Sequence, residues 1–181
     1  GFTINGAVAG DQSGFSVKTA GDVNGDGVDD VIVGANFASP VVSGTTRTTA
    51  GISYVLFGRS FSVNGAASYT NIDLLLLNTA GSSLGFAILG VSTNDNSGRS
   101  VSAAGDVNGD GLADVIVGSG KSYQRYVIFG RNKTDAYANI DLLPLNTAGS
   151  TLGFAILGAV SGDQSGRSVS AAGDVNGDGL S

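Results

Sequence analysis

The chain of 181 residues has no cysteine, histidine, methionine or tryptophan, and none of its fifteen acids is a glutamate. Without Cys or His there is no zinc-finger donor set, no thiol nucleophile and no Ser-His-Asp triad. The absence of cysteine leaves the redox compartment open. Charged residues make up only 13 %, and nine Lys and Arg against a net charge of −6 give no basic face for nucleic acid. No apolar run reaches the roughly eighteen residues of a membrane span.

What the chain does have is aspartate, placed with regularity. Nine of the fifteen acids (Asp22, Asp26, Asp29, Asp30, Asp106, Asp110, Asp114, Asp174 and Asp178) lie in three copies of one phrase. The copies read Asp22-Val-Asn-Gly-Asp-Gly-Val-Asp-Asp30, Asp106-Val-Asn-Gly-Asp-Gly-Leu-Ala-Asp114 and Asp174-Val-Asn-Gly-Asp-Gly-Leu180. Each complete copy sets oxygen side chains at its first, third, fifth and ninth positions and a glycine at the sixth. A short loop of this kind can wrap a hard cation such as Ca2+, which takes about six to eight oxygens at roughly 2.3–2.6 Å. The ligand set expected of loop one is Asp22, Asn24, Asp26, the carbonyl of Val28, and Asp30. Loop two offers Asp106, Asn108, Asp110, the carbonyl of Leu112, and Asp114; loop three offers Asp174, Asn176 and Asp178 without a closing ligand. Short Asp side chains suit a loop folding back on an ion, where helix surfaces favour Glu. The plainer reading is an Asp/Asn/Gly turn without metal, since these are ordinary turn formers. Three copies in one context weigh against it.

The phrases start at 22, 106 and 174, and their flanks repeat with them. Asp11-Gln-Ser-Gly14, Asp95-Asn-Ser-Gly98 and Asp163-Gln-Ser-Gly166 precede them and read as turns; Gly1-Phe-Thr-Ile4, Gly85-Phe-Ala-Ile88 and Gly153-Phe-Ala-Ile156 lie further upstream. Asn71-Ile-Asp-Leu74 returns as Asn139-Ile-Asp-Leu142, with Asp73 and Asp141 expected to cap turns. Self-similarity of this kind marks a stacked repeat architecture. Within a unit the pattern is short strands: Phe15–Ala20, Val31–Val33, Ile52–Phe57 and Phe86–Leu89, then Arg99–Ala103, Val115–Val117, Tyr126–Phe129 and Phe154–Leu157. The Leu74–Leu77 run is short and its counterpart contains Pro144, which favours a turn or irregular apolar plug over a helix. The first unit carries extra Ser/Thr/Gly-rich stretches around 37–50 and 61–70, read as surface insertions. Four strands per unit with Gly-rich turns point to an all-β fold of β-propeller blades, each of four antiparallel strands.

These strings resemble the FG-GAP repeat, the blade unit of integrin-α-type propellers and of many secreted bacterial proteins. The matching residues are Gly14-Phe-Ser-Val17, Asp30-Val-Ile-Val-Gly-Ala35 and Tyr54-Val-Leu-Phe-Gly58, repeated as Ser100-Val101, Asp114-Val-Ile-Val-Gly118 and Tyr126-Val-Ile-Phe-Gly130. The GAP triplet itself has become Gly34-Ala-Asn36 and Gly118-Ser-Gly120. The resemblance implies that Phe15–Ala20 is the innermost strand and Phe86–Leu89 the outer one. It divides the chain into the outer strand of a preceding blade (1–13), two blades (14–90 and 91–158) and the opening of a third (159–181), with 166–171 its first strand.

A closed propeller needs about four to eight blades. Together with the missing initiator Met and leader pattern, this leads to the expectation of a piece of a longer protein. The rival is a short chain completing its packing with copies of itself. Resemblance and the lack of a catalytic constellation favour a non-enzymatic, calcium-stabilised module outside the cell or at its surface. Its expected partner is a protein or glycan ligand, or copies of itself, in adhesion, display or assembly. The alternatives are the propeller portion of a secreted polysaccharide-acting enzyme and a self-assembling filament or sheath subunit. Among smaller candidates, Tyr123, Arg125 and Tyr126 form either a recognition patch or blade packing, and Asn132-Lys-Thr134 has the form of a glycosylation sequon.

Overall fold

The structure is a computed structural model that describes residues 1–59, 70–79, 81–120, 124–132, 137–160, 163–177 and 179. Its strands are β1 (Ile4–Asn5), β2 (Ser13–Gly21), β3 (Asp30–Ala35), β4 (Val41–Val42), β5 (Thr45–Thr46), β6 (Ile52–Leu56) and β7 (Ile72–Asp73). They continue as β8 (Gly85–Leu89), β9 (Ser100–Gly105), β10 (Asp114–Gly118), β11 (Gln124–Ile128), β12 (Ile140–Asp141) and β13 (Gly153–Leu157). Two four-stranded antiparallel meanders result, β2-β3-β6-β8 and β9-β10-β11-β13, one per repeat unit. β3, with its β-branched Val31-Ile-Val33, and β6 are buried almost throughout, as central strands with neighbours on both edges require. Their ladders place the inner strands β2 and β9 side by side.

Outside the meanders, each link between units adds a short parallel pair. β12 joins the outer strand β8, with Ile140 opposite Ile88, and β7 joins β1 with Ile72 opposite Ile4. The first residues of the chain thus take the register that an outer strand takes one unit later. The apolar plugs are single 3-10 helices, Leu74–Asn78 and Leu143–Asn146, that bury Leu74, Leu77 and Leu145. Asp73 and Asp141 accept the N–H groups of Leu75 and Leu143 at 2.9 and 3.1 Å, capping these turns. The insertion 37–50 is in part a small hairpin, β4-β5, whereas residues 60–69, most of the other insertion, lie outside the described residues.

Among the described residues, two apolar clusters fill the fold. One lies within the first unit and includes Val33, Tyr54, Leu56, Leu74 and Leu77. The other is shared: Ala20, Val23, Ile32, Val55, Phe86 and Ile88 of the first unit pack with Val101, Val115, Tyr126 and Ile128 of the second. Close backbone approach also joins the units. A Cβ on Gly34 would stand 2.0 Å from the Gly98 carbonyl oxygen, and one on Gly118 would stand 2.1 Å from that of Gly166. Ser16 and Ser100 donate their hydroxyls to the same two carbonyls, both at 2.8 Å. The glycine of the decayed triplet is therefore a contact point for the following turn.

Residues 166–171, expected as the first strand of a third blade, are not a strand. A strand is held by its ladder, and nothing among the described residues pairs with this segment. Its preceding turn nonetheless docks on the second unit through Gly166.

Candidate metal loops

Each complete loop leaves an inner strand at a register shift, between Thr19 and Gly21 in one unit and at Asp114/Val115 in the other. The irregularity turns the chain out of the ladder and into the loop. Gly27 and Gly111 then adopt φ of 84° and 86°, a left-handed turn that glycine enters without a Cβ clash.

The two loops share one hydrogen-bond plan. Asp22 accepts the N–H groups of Asp26 and Gly27 at 3.0 and 2.8 Å, and Asp106 accepts those of Gly109, Asp110 and Gly111 at 2.8, 3.1 and 2.8 Å. Asn24 and Asn108 accept from Asp26 and Asp110, while Asp26 and Asp110 accept from Val28 and Leu112. The two Asn amides also donate to Asp26 Oδ2 and Asp110 Oδ2, at 3.1 and 2.8 Å. In loop three Asp174 accepts from Gly177 and Gly179, repeating the start of the plan; Asn176 is exposed and Asp178 lies outside the described residues.

The ninth-position aspartates are different in kind. Asp30 and Asp114 are buried, at 1 % and 0 % exposure. Asp30 takes Val23 N–H at 2.9 Å and Gly58 N–H at 2.8 Å; Asp114 takes Val107 and Gly130 N–H, both at 2.8 Å. They clamp the start of the loop to the strand end two ladders away. Burial pushes Asp30 up to about 6 against the two N–H groups, and the charges of Asp26 and Asp22 add to the rise. Burial raises Asp114 in the same way.

In kind, the donors fit a hard divalent cation, since every one is a carboxylate, amide or carbonyl oxygen. In arrangement, the acids are turned toward the loop's own N–H groups, and among the described residues no three acidic side chains gather around one point. A carboxylate has about four acceptor positions, so Asp30 and Asp114, each using two, retain others for an ion. Cation binding requires Asp22 and Asp26, or Asp106 and Asp110, to swing inward from their turns. The hydrogen-bonded plan is also what a self-capped Asx turn looks like.

Loop one is further held by the second unit. Its Asp22 and Val23 carbonyls accept the N–H groups of Ala113 and Arg131 at 3.0 and 2.9 Å, and Leu112 Cδ2 would meet a Cβ on Gly25 at 2.9 Å. The corresponding front of the first unit, lined by Val28, Asp29, Gly58 and Arg59, is a hollow of about 200 Å³.

Other residues singled out in the sequence are structural. Asp95 and Asp163 accept the N–H groups of Ser92 and Val160 within their turns. Tyr126 is buried, with its hydroxyl 2.5 Å from Gln124 Oε1, so it packs inside the blade; Tyr123, Lys133 and Thr134 lie outside the described residues. The sequence reading missed the ion pair of Arg47 with Asp141, 2.6 Å, which ties the first unit's insertion to the second unit's link. It also missed the roles of Asn71 and Asn139, which accept backbone N–H from Thr3 and Ala87 at 3.0 Å each. Recurrence of Asn-Ile-Asp-Leu was the signal for the latter.

A family model for the FG-GAP repeat matches residues 14–56 and 97–136. These spans cover the inner strand, the loop and the central strands of each unit. No curated protein matches the sequence.

Proposed function

This chain is an FG-GAP repeat protein, a β-propeller-type module, and from that premise we propose that it is non-catalytic and calcium-stabilised, working outside the cell or at its surface in adhesion, display or assembly. The observation that carries the reading is the matched pair of complete loops, each with an all-oxygen donor set clamped by a buried aspartate. Bound calcium supplies positive charge to carboxylates that otherwise repel one another. In loop one, Asp22, Asn24, Asp26, Asp30 and the Val28 carbonyl would hold it. Asp106, Asn108, Asp110, Asp114 and the Leu112 carbonyl would do so in loop two. Among the described residues, Asp73, Asp95, Asp141 and Asp163 each cap a turn of their own, which supports a recognition module over an enzyme.

Titration calorimetry of the chain with calcium tests this. The expected result is binding in the range of extracellular modules, about 10⁻⁴–10⁻³ M, weakened by Asp30→Asn and by Asp114→Asn. An ion takes the ionised carboxylate, so affinity falls as pH falls through the raised Asp30 value near 6. No binding heat at millimolar calcium overturns the calcium part of the reading.

A further inference from the structure

At the end of the first unit opposite its metal loop lies a cleft of about 730 Å³. β2 and β6 start at that end, and β3 and β8 finish there. Its lining comes from the 8–11 turn, with Val8 and Asp11, from the insertion peculiar to this unit, with Phe37, Val41 and Thr49, and from Asn78. The volume falls within the roughly 300–1,000 Å³ of small-molecule sites. Among the described residues no Lys or Arg lines it, so these supply no counter-charge for a phosphate or carboxylate ligand.

Its chemistry is divided. Val8, Phe37 and Val41 are exposed at 60 %, 41 % and 62 %, giving both sides apolar surface, aromatic at Phe37. Asp11, whose carbonyl accepts the Phe37 N–H at 3.2 Å, and Asn78 add polar groups to the same lining. Behind them is Tyr54, fully buried, whose hydroxyl has no well-formed hydrogen bond although Asn78 lies beside it. The matching Tyr126 of the second unit is satisfied, because Gln124 stands where the first unit has Ile52 and Asn146 lies 3.2 Å away.

We propose that this cleft is a binding site for a neutral carbohydrate. A sugar ring presents C–H groups on its face and hydroxyls at its edge. The face suits Phe37, and the edge suits a carboxylate acceptor and an amide that both donates and accepts. The inference rests on the fold and on the insertion, not on calcium in the loops at the other end.

Saturation-transfer NMR of the full chain with chitotriose, cellotriose and mannotriose tests it, in calcium and again in chelator. Transfer to at least one trisaccharide is expected, falling at least fivefold in Phe37→Ala and in Asp11→Asn. Asp95→Asn, the same change in the second unit, leaves it intact. Phe37 is exposed, so its variant keeps the fold, and an unchanged melting temperature verifies this. No transfer to any of the three sugars overturns the site, as does transfer that survives both cleft substitutions. Transfer that persists in chelator separates the site from the calcium reading, whose failure appears in the calorimetry alone.

Discussion

Gly85-Phe-Ala-Ile-Leu89 and Gly153-Phe-Ala-Ile-Leu157 are the same five residues in the same outer strand of two blades. In the first, Phe86 and Ile88 are 1 % and 0 % exposed; in the second, Phe154 and Ile156 are 38 % and 40 %. Each pairs with its third strand across five residues, while among the described residues only the first also takes a strand of the next unit, β12, on its other edge. What differs is the next unit: the second blade covers the first, and Tyr137 stacks on Phe86 with ring centroids 5.8 Å apart. In this repeat, therefore, the blade supplies the shape and the neighbour supplies the burial. The loops repeat the lesson. Val23 is 1 % exposed beneath the second unit, whereas Val107, one repeat later, is 38 % exposed.

The largest test of this comparison is truncation of the repeated phenylalanine. Phe86→Ala is expected to destabilise the chain by about 3–5 kcal/mol, as for a fully buried aromatic, and Phe154→Ala by no more than about half of that. Chemical denaturation of the two variants measures both. Equal losses break the argument that burial comes from the neighbour. Val23→Ala and Val107→Ala make the same comparison in the loops. About 1.5–2.5 kcal/mol is expected for the first and less than about 0.5 for the second.

A further test concerns the tie between units. Arg47 donates to both carboxylate oxygens of Asp141, at 2.6 and 2.9 Å, and to the Gly90 carbonyl at 2.9 Å. Burial pushes Asp141 up, but the Arg47 hydrogen bonds, the Leu143 N–H and the guanidinium charge outweigh it and hold the acid below its ordinary value. This contribution is present above the unfolded-state pKa of about 3.9 and is lost as pH falls through the lower folded value. Arg47→Ala is expected to cost about 1 kcal/mol at neutral pH, the scale of a partly exposed pair. The difference from the unaltered chain shrinks in acid. A variant as stable as the parent at pH 7 removes the pair from the account.

Much of this was legible in the residues. Val31-Ile-Val33 and Val115-Ile-Val117 read as strands buried on both faces, and β3 and β10 extend these runs by three and two residues. The Leu74–Leu77 run and its counterpart, expected as a turn or irregular plug, each form a short 3-10 helix, and Pro144 allows it because it sits in the first turn, where its missing N–H costs nothing. The strand expected over 166–171 was not realised, because its Ser-Val-Ser-Ala pattern supplies a face but no ladder partner. The Arg47–Asp141 pair was invisible because its partners are 94 residues apart in chain sequence and neither recurs as a pair. The orientation of the loop acids was hidden for another reason: an Asp that caps its own turn and an Asp that holds an ion occupy the same place in the phrase.

That last ambiguity makes thermal unfolding with calcium and with chelator the most direct test of the central claim. At a calcium concentration about 100-fold above the dissociation constant, each occupied loop adds about 2.7 kcal/mol. In a chain of this size that is a rise of roughly 5–10 °C per loop. The account predicts a rise of this size in calcium, reduced by Asp30→Asn. A melting temperature that is the same in calcium and in chelator contradicts it and leaves the loops as self-capped turns.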